Sequence, residues 1–284
     1  MAAWVSNDED PRSLDPVSLA PDRILSINNL GIITTMSVRL RRQFLLEAVR
    51  TEPIAVSTLA ITLGCSEMTV RRDLDVLERE GVLRRVHGGA VAFSLRGDEV
   101  PYSLRAFEAV EAKERIARAV AGLIADGETV VLDCGTTTAE VGRALRGRSV
   151  TIMPLGLRTL IDLANDEHVH LIAAGGDVRA GEMVVTGDLA EVAFERLRFD
   201  TFILGCCGIS EQDGVTTHVP ADARIKRAAI ASSRRTVLVG DASKLGGVAF
   251  GRVCELDALE LMVTDASPSQ TADLELAGLT IARV

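Results

Sequence analysis

From Lys113 onward the hydrophobic period of the chain switches repeatedly, from roughly 3.6 residues to two and back. Helix Glu114–Ile124 precedes strand Thr129–Asp133, helix Thr138–Leu145 precedes strand Val150–Pro154, and helix Leu157–Ala164 precedes strand Val169–Ala173. Strand Thr201–Gly205, helix Ala221–Ser232 and strands Thr236–Val239 and Leu261–Thr264 follow. Repeated units of this kind predict a mostly parallel sheet with helices on both faces. Ligands of such sheets sit at the carboxyl ends of the strands, where this sequence concentrates Gly, Thr, Asp and Cys.

The segment before Lys113 obeys a different pattern. Leu40, Phe44, Leu45, Ala48 and Val49 mark one face of a helix over 39–50. Ser57 can cap a short helix Thr58–Leu63 that Gly64 closes, and Ser66 a third, Glu67–Glu80, that Gly81 closes. Val82–Val86 and Ala90–Phe93 read as two strands around a Gly-Gly turn. Three helices with a tight turn, then a hairpin, describe a winged helix-turn-helix. The bland alternative is a small helical packing domain with an incidental arginine cluster. The expected organisation is an extension over 1–36, disordered or extraneous and punctuated by Pro11, Pro16 and Pro21. A winged helix-turn-helix over 37–93, a linker over 94–112 and an α/β domain over 113–284 follow. Met36 is the expected natural start.

Net charge divides along the same lines. The total is −9, yet 37–92 carries 9 basic against 7 acidic side chains. A basic module beside an acidic body suits DNA, because attraction to phosphate is local and screened. At the start of the third helix, Ser66, Thr69, Arg71 and Arg72 are placed to meet base edges and phosphates. Asp73, next to Arg72, is expected to orient an arginine rather than to touch DNA. Arg84, Arg85 and His87 on the wing suit phosphate or minor-groove contact. Any one of these arginines taken alone also fits a solvated face.

In the α/β domain, Asp133-Cys134-Gly135-Thr136-Thr137-Thr138 runs from a strand into a helix. Gly135 permits the turn, and hydroxyls with free N–H groups at a helix N-terminus make an anion cradle. Plain capping is the competing reading. Asp133 can accept from a sugar hydroxyl. Gly175, Gly176 and Arg179 follow a later strand and could approach a ligand. On the later helix Ala221–Ser232, Asp222 and Lys226 stand out, with Lys226 the best phosphate partner by charge. Lys244 is a second cation of the site or a surface lysine.

Other classes are disfavoured. No apolar run approaches the ~20 residues of a membrane span, and Met1–Pro11 is no secretory signal. Five cysteines form no CxxC, four histidines form no HExxH, and 9 aromatics argue against base-stacking platforms. No metal site and no cofactor is expected, and the cysteines read as reduced, cytosolic thiols.

The residues Ser66-x-x-Thr69-Val70-Arg71-Arg72-Asp73-Leu74, then Leu77-Glu78-Arg79-Glu80-Gly81 and His87-Gly88-Gly89-Ala90, resemble the DeoR family of bacterial transcription regulators. The likeness spans roughly 37–265. Asp-x-Gly-Thr-Thr, Gly-Gly, Asp200 before Phe-Ile-Leu-Gly, Gly-x-Thr-Thr and Asp-x-Ser-Lys are all present. The resemblance implies a Rossmann-like sensor domain related to ribose-5-phosphate isomerase, with Asp200 among its ligand residues. It also implies a cytoplasmic homo-oligomer, dimer or tetramer, that binds operator DNA as a repressor of sugar or polyol genes. A phosphorylated sugar then releases it, and it is not an enzyme. An isomerase with an appended module and a ligand-blind DNA scaffold are the alternatives. Two departures touch the expected pocket. Val219–Arg224 lacks the glutamate pair common there, and Cys206-Cys207 stands where small residues are usual; the pair admits packing or a redox role.

Overall fold

The computed structural model describes residues 38–48, 54–79, 83–86, 89–92 and 100–284. The expected extension over 1–36, His87 and the first part of the expected linker lie outside them.

The N-terminal unit comprises α1 (Val38–Ala48), β1 (Ile54–Ala55), α2 (Val56–Thr62), α3 (Glu67–Arg79), β2 (Leu83–Val86) and β3 (Gly89–Ala92). Gly64 adopts φ +59 in the turn between α2 and α3, a backbone conformation that glycine adopts without strain. Val70, Leu74 and Leu77 of α3 are buried with Leu45, Val56, Leu59 and Leu83. Burying such side chains contributes about 1.5–3 kcal/mol each. The sequence pattern missed β1, which pairs with β3 and makes the wing three-stranded. A two-residue strand has no periodicity to read.

The stretch read as a linker is helical in part. It holds α4 (Tyr102–Arg105) and the start of α5 (Val110–Ala121), which begins earlier than the expected Glu114. The larger unit continues with β4 (Thr129–Leu132), α6 (Thr136–Ala144), β5 (Val150–Pro154), α7 (Leu157–Leu163) and β6 (Val169–Leu171). A hairpin of β7 (Asp177–Arg179) and β8 (Val184–Thr186) leads to α8 (Asp188–Arg196) and β9 (Phe199–Gly205). Next come β10 (Gly208–Ser210), β11 (Gly214–Thr217), α9 (Pro220–Ser232), β12 (Ser233–Val239) and β13 (Gly251–Cys254). The chain closes with β14 (Leu261–Thr264), α10 (Pro268–Leu276) and β15 (Ile281–Arg283).

Seven strands pair in parallel in the order β15-β14-β12-β9-β4-β5-β6. Side chains alternate between two cores. Val130, Leu132, Ile203, Val237 and Val239 pack against Ile116 and Val120 of α5 and Val141 of α6. Val131, Phe202, Leu204 and Leu238 pack on the other face against α8 and α9, through Ala190, Phe194, Ala223 and Ile225. Burial on both faces explains the near-continuous apolar strands. From β4 the order runs one way through β5 and β6 and the other way through β9, β12 and β14. The carboxyl ends of β4 and β9 therefore form the topological switch point, where ligands of open parallel sheets bind. The small antiparallel sheet β10-β11-β13 stands beyond the end of β9.

Candidate functional site

A cavity of about 30 Å³ opens at that switch point. Its wall includes Gly135 to Thr138 after β4, Gly205 to Cys207 after β9, Thr217, Asp222 and Lys226. Three cations line it, Arg105, Lys226 and Lys244, against one lining carboxylate, Asp222. Thr136 and Thr137 occupy the first turn of α6, whose N–H groups have no intrahelical acceptor. Both residues are more than nine-tenths buried. Among the described residues neither hydroxyl has a hydrogen-bond partner. Thr138 differs: its hydroxyl donates to the Asp133 carbonyl at 2.7 Å and the Gly135 carbonyl at 3.0 Å, so it braces the turn.

Asp133 does not face the cavity as a sugar acceptor. Its carboxylate is fully buried, 2.7 Å from Lys226 Nζ, and accepts from the N–H groups of Cys134 (2.7 Å) and Gly205 (2.9 Å). Lys226 also donates to the Gly205 carbonyl at 3.0 Å. The pair ties β4, β9 and α9 together. Burial alone would lower the Lys226 pKa; Asp133, with Cys134 and Cys207, outweighs it and holds the ammonium well above its ordinary value. The expectation that Lys226 is the main phosphate partner is therefore altered: its charge already has a buried counter-ion. Lys244 also lines the cavity and forms no ion pair among the described residues. That favours the site cation over the surface lysine for this residue.

Arg179 reaches the site through Asp222, donating to both carboxylate oxygens at 3.3 and 2.6 Å. Gly175 and Gly176 do not line the cavity, contrary to expectation. At Gly176 (φ +111) a Cβ would come within 2.4 Å of the Thr186 carbonyl oxygen, so this glycine serves close packing of the β7–β8 hairpin. Asp200 is likewise misplaced by the family pattern. It lies near the amino end of β9, where its carboxylate accepts from the Thr129 N–H (3.0 Å) and hydroxyl (2.8 Å). That is the opposite edge of the sheet from the cavity, and those bonds hold the Asp200 carboxyl below its usual range.

Arg105 was missed, because nothing in its sequence surroundings distinguishes it. It comes from the expected linker and hydrogen-bonds Glu182, which also accepts from the Tyr102 N–H at 3.0 Å. The Arg158 guanidinium stacks 4.6 Å over the Tyr102 ring. Lys113, 3% exposed, donates to the carbonyls of Arg105 and Glu108. Burial pulls its pKa down to about 8, with Asp241 opposing. In the same segment Leu104 and Phe107 pack on the winged-helix core. The α4 strap thus touches both the cavity and the N-terminal unit.

In that unit, Arg71 and Arg72 are exposed on α3, and Arg71 pairs with Glu67 one turn away at 2.9 Å. Ser66 Oγ accepts from the Thr69 N–H at 3.2 Å and bonds its hydroxyl at 2.9 Å, capping the helix. Asp73 orients arginines, as expected, and they are those of α1. It is buried and accepts from Arg41 Nε (2.6 Å) and Arg42 Nε (3.0 Å), fastening α1 to α3. Arg84 and Arg85 fall in β2.

Sequence comparisons agree with both units. A model of the DeoR-like helix-turn-helix domain matches residues 41–95, and a model of the DeoR C-terminal sensor domain matches 108–266. The transcriptional regulator GlpR of Haloferax volcanii is 34% identical over 230 residues, 80% of this chain and 90% of that protein. The repressor AccR of Agrobacterium fabrum is 33% identical over 80% of this chain and 89% of its own. The glycerol-3-phosphate regulon repressor of Escherichia coli is 33% identical over 76% and 85%. Among solved structures, ribose 5-phosphate isomerase A of Methanocaldococcus jannaschii superposes with a TM-score of 0.35 at 15% identity, over 48% of this chain and 54% of that one. Among the described residues no helix is long and apolar enough to cross a membrane. With a winged helix-turn-helix, a parallel-sheet sensor domain and family models that match both, the chain belongs to the DeoR family of transcriptional regulators.

Proposed function

We propose that the protein represses a carbohydrate or polyol catabolic operon and leaves its operator when a phosphorylated sugar binds the cavity at the switch point. It acts in the cytoplasm as a homo-oligomer. The observation that carries the ligand class is the pair of hydroxyls of Thr136 and Thr137, which have no hydrogen-bond partner among the described residues and belong to residues more than nine-tenths buried. They lie at a helix N-terminus in a cavity with more cations than carboxylates. A phosphate would take the two hydroxyls and the first-turn N–H groups of α6, with Lys244 supplying charge. Asp222, held by Arg179, remains to accept from sugar hydroxyls. A sugar phosphate entering this small cavity would press on its wall.

Arg105 belongs to that wall, and its neighbours Leu104 and Phe107 belong to the winged-helix core. Ligand contact that shifts Arg105 would move the strap and with it α3. Arg71 and Arg72 read base edges or phosphates, with the capped Ser66–Thr69 turn setting the start of the helix. Arg84, Arg85 and His87 of the wing contact the backbone or the minor groove. The isomerase alternative needs a free carboxylate base, whereas Asp133 is committed to Lys226 and Asp222 to Arg179.

The test is titration of the protein onto the DNA upstream of its own gene at fixed salt, repeated with a panel of sugar phosphates. Specific binding released by one compound is expected. Specific binding that no phosphorylated sugar or polyol disturbs would overturn the ligand-responsive reading.

A further inference from the structure

Three of the five cysteines, Cys134, Cys206 and Cys207, line the same cavity. A thiol is a weak hydrogen-bond donor and a weak acceptor. A pocket meant only for hydroxyls and phosphate gains little from three of them. Their surroundings differ. Burial pushes the Cys206 thiol up to about 12 and the Cys134 thiol well above its ordinary value. Burial also acts on Cys207, but a hydrogen bond with His218, the Lys226 charge and the Thr217 hydroxyl outweigh it and bring that thiol down to about 7. Cys207 Sγ lies 3.6 Å from Thr217 Oγ1, and its own N–H donates to the Thr216 carbonyl at 3.0 Å, so its backbone is fixed on the rim. A fixed thiol with thiolate character, facing a ligand cavity, is a nucleophile. The hydroxyls of Thr136 and Thr137, without a partner among the described residues, line the same cavity.

We propose that the cavity takes a short phosphorylated aldehyde and that Cys207 Sγ adds reversibly to its aldehyde carbon, forming a hemithioacetal. The phosphate would sit on the first turn of α6 as proposed above, and this inference rests on that reading. In the addition a carbon–sulfur bond forms and the carbonyl π bond breaks. Its electron pair moves to oxygen, which takes up the proton that leaves the thiol. That proton passes from sulfur to oxygen directly or through solvent. Nothing is oxidised and no co-reactant is consumed. The adduct adds a covalent bond that an alcohol of the same size cannot make, so the site discriminates between sugars by carbonyl as well as by shape.

The experiment uses the full chain and glyceraldehyde 3-phosphate labelled with ¹³C at the aldehyde carbon. Glycerol 3-phosphate and inorganic phosphate serve as carbonyl-free controls. Expected is a new protein-bound carbon resonance, distinct from free aldehyde and hydrate, that excess inorganic phosphate removes. It should be absent from Cys207→Ser and Cys207→Ala and retained in Cys206→Ser. The aldehyde should bind wild type about tenfold more tightly than Cys207→Ser, a difference of about 1.4 kcal/mol, while glycerol 3-phosphate binds both alike. Thermal unfolding of both Cys207 variants checks that the fold is kept. If wild type shows no new resonance although phosphate or glycerol 3-phosphate binds, the covalent step is refuted and the phosphate site stands. If no phosphorylated compound binds, both fall. A resonance that survives in Cys207→Ala and is lost in Cys206→Ser refutes the assignment to Cys207.

Discussion

Replacing Asp133 by Asn should be among the most damaging single changes in the α/β unit. The carboxylate is 0% exposed and Lys226 4% exposed, with 2.7 Å between Oδ2 and Nζ. At an effective dielectric near 20, charges that close attract by about 6 kcal/mol before desolvation is subtracted. Removing one charge leaves the other buried and unpaired, which costs about 3–5 kcal/mol. The amide oxygen can keep one of the backbone bonds from Cys134 and Gly205 and loses the other, adding about 1 kcal/mol. The sum is a large fraction of the 5–15 kcal/mol typical of whole domains. The pH dependence should also change sign. In wild type the raised Lys226 pKa contributes stability that is fully present below the unfolded value and is lost as pH rises through the folded one. In Asp133→Asn the largest opposing charge is gone, so burial should pull the folded pKa below the unfolded one, and stability should rise with pH across that window. Urea unfolding of the full chain at neutral and alkaline pH, read on the larger transition by circular dichroism, measures both effects. The double variant Asp133→Asn/Lys226→Met should recover most of the charge penalty, because it leaves no charge stranded and the amide oxygen keeps one backbone bond. A loss below about 1 kcal/mol for Asp133→Asn at neutral pH would refute the buried pair.

Three further expectations follow from the same geometry. Thr137→Ala removes a hydroxyl with no partner among the described residues, so stability should hold while phosphosugar affinity falls by about 1.5–3 kcal/mol by calorimetry; unchanged affinity would remove Thr137 from the site. Arg71→Ala and Arg72→Ala should each weaken operator binding by about 1–3 kcal/mol at fixed salt with unchanged melting; wild-type binding by both would displace α3 as the reading element. Lys113 falls from 10.5 to about 8 in the fold. The unfolded chain therefore binds its proton more tightly, and wild-type stability should rise between those pH values by about 3 kcal/mol relative to Lys113→Met. Equal pH profiles for the two proteins would contradict the buried ammonium.

Much of this was legible because burial on both faces writes itself into the strands. Val130–Leu132 and Phe202–Leu204 alternate between two cores yet are apolar throughout, so the strands and their carboxyl-end turns stood out. The position of Thr136 and Thr137 on the cavity wall followed from that placement. Partnership inside the site was not legible. Asp133 and Lys226 lie far apart in sequence and neither shows that the other neutralises it, so Lys226 drew the role that Lys244 now fits better. Asp200 was assigned by pattern alone, yet it stands at the start of a seven-residue strand whose other end reaches the cavity. At about 3.3 Å per residue the strand from Asp200 to Gly205 spans roughly 17 Å. Arg105 carried no signal, because a strap is defined by what it packs on. The pairing of Asp73 with Arg41 and Arg42 was hidden for a related reason: the helices that make it are adjacent only in space.

Leu104 and Arg105 are consecutive, one on the winged-helix core and the other on the cavity wall. A connection one residue long has no slack in which a displacement could be absorbed. If the strap carries the response, linkage makes it reciprocal: operator DNA must loosen the grip on ligand by the same factor that ligand loosens the grip on DNA. A promoter-bound molecule is then a poorer sensor than a free one. Unbound copies would fill first as the sugar accumulates, and derepression would lag behind ligand occupancy in the cell.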